Sequence, residues 1–89
     1  MDLNLLKQMF LDDLKEKITV LEFSILEKNY EEIKQIAHKI KGNSAGLLLN
    51  YQEINEIGRN LEHAAINKDD SLLLSNFTNL KVVFSKIEL

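Results

Sequence analysis

The chain has 89 residues, 11 of them basic and 14 acidic, giving a net charge of −3, with no cysteine and no proline. That length suits a single domain over 1–89, the acidic balance offers nucleic acid no basic footprint, and without cysteine there can be no disulfide, thiolate zinc site or thiol catalysis. No apolar run approaches the roughly 20 residues needed to cross a bilayer, and acidic Asp2, Asp12 and Asp13 stand where a secretory signal carries basic residues, so a cytoplasmic protein without a membrane anchor is expected.

The first segment, from about Leu3 to Leu26, spaces Leu3, Leu6, Phe10, Leu14, Ile18, Leu21 and Ile25 by threes and fours, which predicts one long amphipathic helix. Met9, Leu11, Val20 and Phe23 widen its apolar stripe, enough for contact with more than one partner helix. A break follows at Glu27-Lys28-Asn29, where Asn29 is placed to cap a second helix with Glu32 as its reciprocal partner.

The second helix, running to about Leu48, has two unlike faces. At roughly 100° per residue, Ile33, Ala37, Ile40, Ser44 and Leu47 form one buried stripe with Ile36 beside it. Lys41, Lys34, Ala45, His38 and Gly42 fall between about 80° and 180° from the middle of that stripe, so His38 is predicted to face water. Lys34 precedes His38 by four positions and Lys41 follows by three, the spacings at which helical side chains meet. Two ammonium groups there disfavour protonation of the imidazole and predict a neutral, nucleophilic nitrogen near neutral pH. Glycine inside a helix costs about 1 kcal/mol relative to alanine, so Gly42 and Gly46 call for a reason; a bare patch beside His38 lets another backbone come close.

Asn50 and Glu53 repeat the asparagine–glutamate spacing and start a third helix, with Ile54, Ile57, Leu61, Ala64 and Ala65 as its apolar positions, ending near Asn67. Asp69 or Asp70 caps a fourth, in which Leu73, Phe77, Leu80, Phe84 and Ile87 keep the three-four rhythm. Connections of a few residues make consecutive helices antiparallel, so the fold class is all-α, an antiparallel up-down-up-down four-helix bundle. Ser44 and Gly58, on inward faces, let the second and third helices approach closely.

Familiar catalytic patterns are missing. There is no nucleophile motif, phosphate-binding loop, dinucleotide fingerprint or His-Glu-x-x-His helix. A di-iron bundle needs glutamate three residues before each histidine, and Gln35 and Asn60 stand there instead. The two histidines make no metal motif, and His63, opposite its helix's apolar stripe, reads as a solvated residue.

What remains is Ala37-His38-Lys39-Ile40-Lys41-Gly42-Asn43-Ser44. It resembles the core of the histidine-containing phosphotransfer (HPt) family, a histidine followed after two residues by lysine and glycine and then a small residue. Phe10-Leu11-Asp12-Asp13-Leu14 resembles the family's first-helix signature, Tyr30-Glu31-Glu32-Ile33 its lead into the histidine helix, and Leu61-Glu62 its third-helix pair. The chain departs from the family at residues 47–49, all leucine, and at Gly46.

The resemblance implies a phosphorelay intermediate of multistep two-component signalling, a phosphoryl carrier without kinase activity of its own. His38 takes the phosphoryl group from an aspartyl phosphate on a receiver domain and passes it to another receiver. Partners are then the receiver domains of response regulators or hybrid histidine kinases, with no nucleic acid and no membrane, and the chain acts as a monomer. No cofactor or metal is expected on this chain, since magnesium belongs to the receiver. Transfer spreads negative charge over the phosphoryl oxygens, and a cation about 4 Å away is worth about 1 kcal/mol in water and up to about 4 at a screened interface. Lys41 is the first candidate for that cation, Lys34 the second and Lys39, which points elsewhere, the last. Lys34, Gly42 and Ala45 are the expected docking residues, with Met9 or Leu11 at the rim. The competing expectation is a non-catalytic four-helix adaptor that binds a receiver without accepting phosphate.

Overall fold

The computed structural model describes residues 2–44 and 51–87. Expectations for Ala45, Gly46, residues 47–49, Asn50, the end of the second helix near Leu48 and the Ser44 side chain lie outside the described residues. Four helices and no strand are described: α1 (Leu3–Leu26), α2 (Tyr30–Ser44), α3 (Gln52–Ile66) and α4 (Asp70–Lys86). They form a compact body of 39 × 19 × 18 Å, its long axis close to the length of about 36 Å that 24 helical residues span.

Each helix starts and stops for a local reason. The Asp2 carboxylate accepts from the Asn4 amide and caps α1. At the far end Lys28 adopts a left-handed φ of 56°, with the Lys28 amide bonded to the Ile25 carbonyl and the Asn29 amide to that of Ser24, the paired bonds of a Schellman stop. The same motif closes α3, where Lys68 has φ 53° and the Lys68 and Asp69 amides reach the Ala65 and Ala64 carbonyls. In both turns the next residue caps the following helix: the Asn29 side chain accepts from the Glu32 amide at 3.2 Å and Asp69 from the Leu72 amide at 3.1 Å.

One capping expectation is corrected. The Glu32 carboxylate is not the reciprocal partner of the Asn29 backbone; it accepts from the Ser24 hydroxyl across the α1–α2 turn and from the Asn29 side chain. The N-cap of α3 is Tyr51, whose side chain makes no capping bond.

Contacts run in opposite order along α1 and α2 and along α2 and α3. α1 meets α2 through Ser24 and Glu32 at the turn and through Asp13 and Asn43 at the other end. α2 meets α3 through Lys41 and Asn55 and, further back along α2, through His38 and Glu62. The two turns share one end of the body, where the Tyr30 hydroxyl donates to Asp70 at 2.7 Å and Lys28 pairs with the same carboxylate.

The core is the predicted stripes brought together: Leu14 and Leu21, Ile33, Ala37 and Ile40, Ile54 and Leu61, and Leu73, Phe77 and Leu80. α1 is the exception to the predicted pattern. Leu11 is buried, but Met9, Val20 and Phe23 lie on the outer side and are exposed, so they widen no packing stripe. The reason is angular, since these three lie about 100° to 180° around the helix from Leu14 and Leu21. Among the described residues no helix is long and apolar enough to cross a membrane.

Candidate functional site

Packing of α2 decides where His38 points. Ile33, Ala37 and Ile40 are buried to within 1 % of full burial, so the position after Ala37 is turned outward and the His38 side chain is 68 % exposed. One turn later Gly42 is exposed as well, and a Cβ built there meets nothing within 4 Å. Gly42 thus leaves bare surface beside the imidazole and packs against no helix among the described residues. Gly58 on α3 is the reverse case, buried against α2 as its spacing predicts.

What lies beside the imidazole is a carboxylate. His38 Nδ1 is 3.0 Å from Glu62 Oε2, and the other oxygen of the same carboxylate accepts from the Lys41 ammonium at 2.8 Å. The Glu62 side chain is 16 % exposed. The Lys41 hydrogen bond, with a smaller contribution from His38, outweighs partial burial and holds the Glu62 carboxyl below its usual range. An ionised carboxylate can only accept, so neutral His38 carries its proton on Nδ1 and leaves the Nε2 lone pair outward. The site therefore presents an oriented, exposed imidazole on a convex helix face.

Lys34 is paired with Glu31 at 3.1 Å and Lys41 with Glu62, so each of these two expected cations has a carboxylate partner. The Glu62 contact fixes the orientation of the imidazole. Lys39 does not point away from the site: with Lys34, Gln35, His38 and Glu62 it lines a shallow depression of about 310 Å³. A larger depression of about 480 Å³, lined by residues including Tyr51, Ile54, Val83 and Ile87, contains no residue of this cluster.

The sequence-predicted residues are brought together in part. His38, Lys41 and Gly42 share one face, Lys34 stands at its edge, and Ala45 lies outside the described residues. At the expected rim Leu11 is buried while Met9 is exposed. His63 is exposed, as expected. Glu62 is the site residue that spacing within α2 could not find, because it arrives from α3; the available signals were that Leu61-Glu62 belongs to the family resemblance and that Leu61 is a core position with the next residue emerging at the α2 seam. Among the described residues no group of three or more His, Cys, Asp or Glu is arranged to hold a metal.

A family model, described as Hpt domain, matches residues 5–81, a span that includes His38, Lys41, Gly42 and Glu62. The chain belongs to the Hpt domain family. No curated protein and no solved structure matches it significantly. Hpt domains act in phosphotransfer within two-component phosphorelays and interact there with receiver domains. In this Hpt domain the exposed imidazole, the carboxylate behind it and the bare glycine beside it are built by two helices alone, α2 and α3, whose mutual packing is the most extensive in the bundle.

Proposed function

We propose that this Hpt domain is a phosphorelay intermediate in which His38 accepts a phosphoryl group from a receiver's aspartyl phosphate and passes it to a second receiver. The observation that carries this reading is the exposed His38 with Nδ1 held by Glu62, which leaves Nε2 as the attacking atom. The Nε2 lone pair forms the N–P bond as the bond from phosphorus to the aspartyl oxygen breaks, and the aspartate leaves with that electron pair. The imidazole keeps its Nδ1 proton and gains positive charge, which the Glu62 carboxylate stabilises through the same hydrogen bond. On transfer to the second receiver an aspartate oxygen attacks phosphorus, the N–P bond breaks, and neutral His38 returns.

Lys41 supports the transfer through charge. A bare carboxylate beside an incoming phosphoryl group repels it, and the Lys41 ammonium on Glu62 cancels that repulsion and adds attraction for the charge spread over the phosphoryl oxygens. Lys34 and Lys39, around the depression next to His38, offer further cations to the approaching group. Gly42 provides the bare surface on which a receiver seats, Ala45 is a further docking residue, and magnesium is supplied by the receiver. The chain acts as a cytoplasmic monomer in this reading.

The test is incubation with a phosphorylated receiver and magnesium. The chain acquires an acid-labile, base-stable phosphate, and His38→Gln acquires none. Undiminished labelling of His38→Gln overturns the assignment; a stable receiver complex without any phosphohistidine in the wild type leaves the adaptor reading in its place.

A further inference from the structure

One face of α3 grips a single residue of α2 at three points. The Asn55 amide donates to the Lys41 backbone carbonyl at 2.8 Å. Gly58 lies against the Lys41 backbone so closely that a Cβ there would stand 2.9 Å from its amide nitrogen, 3.2 Å from its Cα and 3.2 Å from the Ala37 carbonyl oxygen. Glu62 accepts from the Lys41 ammonium at 2.8 Å. Residues three and four apart share a helix face, so Asn55, Gly58 and Glu62 form one row whose target is Lys41's carbonyl, amide and side chain in turn.

We propose that Asn55 and Gly58 are positioning residues for phosphoryl transfer, which lock the register of α2 on α3 through Lys41 so that Glu62 meets His38 Nδ1. The inference rests on the phosphorelay reading for its rate consequence, while its structural consequence is independent of that reading. The contact at Gly58 is with backbone, which cannot swing aside as a flexible side chain does, so any side chain at this position must move the two helices relative to each other. Asn55 works from the other direction. The Asn55 amide donates to the Lys41 carbonyl and so fixes this point of α2 along the α3 axis. The His38–Glu62 bond spans the same seam, so a slip of a few tenths of an ångström falls directly on it. Neither residue touches His38, and both act on it through Lys41 and Glu62.

The experiment compares Asn55→Ala, Gly58→Ala and a core control, Leu73→Val, at a residue that lies on α4 and on neither helix of the seam. All are made in a His63→Gln background so that only His38 reports. Imidazole ¹⁵N shifts, measured about two units above the ordinary histidine pKa, read the tautomer, and single-turnover transfer from a phosphorylated receiver reads the rate. The unaltered seam gives His38 as the Nδ1–H tautomer. Asn55→Ala and Gly58→Ala shift it to a mixture and slow transfer on the order of tenfold, as expected for a sub-ångström misplacement, whereas Leu73→Val changes neither. Wild-type tautomer and rate in both seam variants overturn the proposal, as does an equal shift in Leu73→Val. If Gly58→Ala does not fold, Asn55→Ala decides alone. A tautomer shift in the seam variants of a chain that never accepts phosphate supports the register lock and removes the phosphorelay reading instead.

Discussion

Glu62 Oε2 sits 3.0 Å from His38 Nδ1, and through that contact a residue of α3 determines which nitrogen of an α2 imidazole carries the proton in its neutral form. Glu62→Gln keeps an acceptor for the Nδ1 proton but replaces a charge-assisted bond with a neutral one. Charged hydrogen bonds are about twice as strong as neutral ones, a difference of about 1 kcal/mol, so transfer is expected to slow roughly five- to tenfold. Glu62→Ala, which removes the acceptor, loses more. Single-turnover transfer from a phosphorylated receiver measures both, and wild-type kinetics in Glu62→Ala would take Glu62 out of the mechanism.

Lys41→Ala separates charge from register. Its backbone contacts with Asn55 and Gly58 survive the truncation, so the four helices are retained, but a mostly buried Glu62 loses its ammonium partner. Leaving a partly buried carboxylate short of a hydrogen bond costs about 1–3 kcal/mol, visible as a lower denaturant midpoint. Transfer slows and the phosphohistidine decays faster, since the uncompensated carboxylate repels the phosphoryl group. An unchanged transfer rate with the expected stability loss would confine Lys41 to a structural role.

The helices and their buried faces were legible because periodicity reports burial directly: Ile33, Ala37 and Ile40, or Ile54, Ile57 and Leu61, can point inward on only one side. His38 was legible as the consequence of that same pattern. The stop signals were not, because lysine occupies the left-handed position that glycine usually takes, at Lys28 and Lys68, and only the following caps Asn29 and Asp69 betrayed the turns. Met9, Val20 and Phe23 misled, since an apolar residue carries no label saying which helix face has a partner. Leu61-Glu62 entered through the resemblance, but the contacts of Glu62 and Asn55 escaped because their partners lie on another helix, and a seam between helices leaves no spacing in the chain.

Acid destabilisation should be traceable to Glu62. Its folded pKa lies below the ordinary value, first through Lys41 and then through His38, so its contribution is complete above the unfolded pKa and is lost as pH falls through the lowered folded value. Wild type is therefore more stable than Glu62→Gln at neutral pH, and the gap closes on acidification below about 4.5. Asp70 is also held low, mainly by the Tyr30 hydroxyl and then by Lys28, but that cluster is exposed, and the Lys28 pairing is screened by added salt. Denaturant titrations of the two proteins across pH at high salt isolate the Glu62 part; a gap independent of pH contradicts the ion-pair account.

The lysine in the α3–α4 turn carries a backbone cost that can be measured. At φ 53° a side chain is disfavoured by roughly 1 kcal/mol and glycine is not. Lys68 also places its ammonium 6.0 Å from the Tyr30 ring centroid, so the clean comparison is between two variants that both lack it. Lys68→Gly should be more stable than Lys68→Ala by about 0.5–1 kcal/mol despite its more flexible unfolded chain. Equal midpoints would mean that the turn relaxes out of the left-handed region at no cost.

Gly42 gives the sharpest separation of stability from function. A Cβ at this exposed helical position meets nothing within 4 Å, and alanine is favoured over glycine inside a helix by about 1 kcal/mol. Gly42→Ala is therefore expected to raise the unfolding free energy by about 0.5–1 kcal/mol. If the open surface is there to let a receiver's backbone approach His38, the same variant transfers phosphate more slowly, and Gly42→Leu more slowly still, while each remains as stable as wild type or more so. Thermal unfolding and receiver transfer rates on the same preparations settle the point. A stabilised Gly42→Leu that transfers at the wild-type rate would show that the receiver does not seat there.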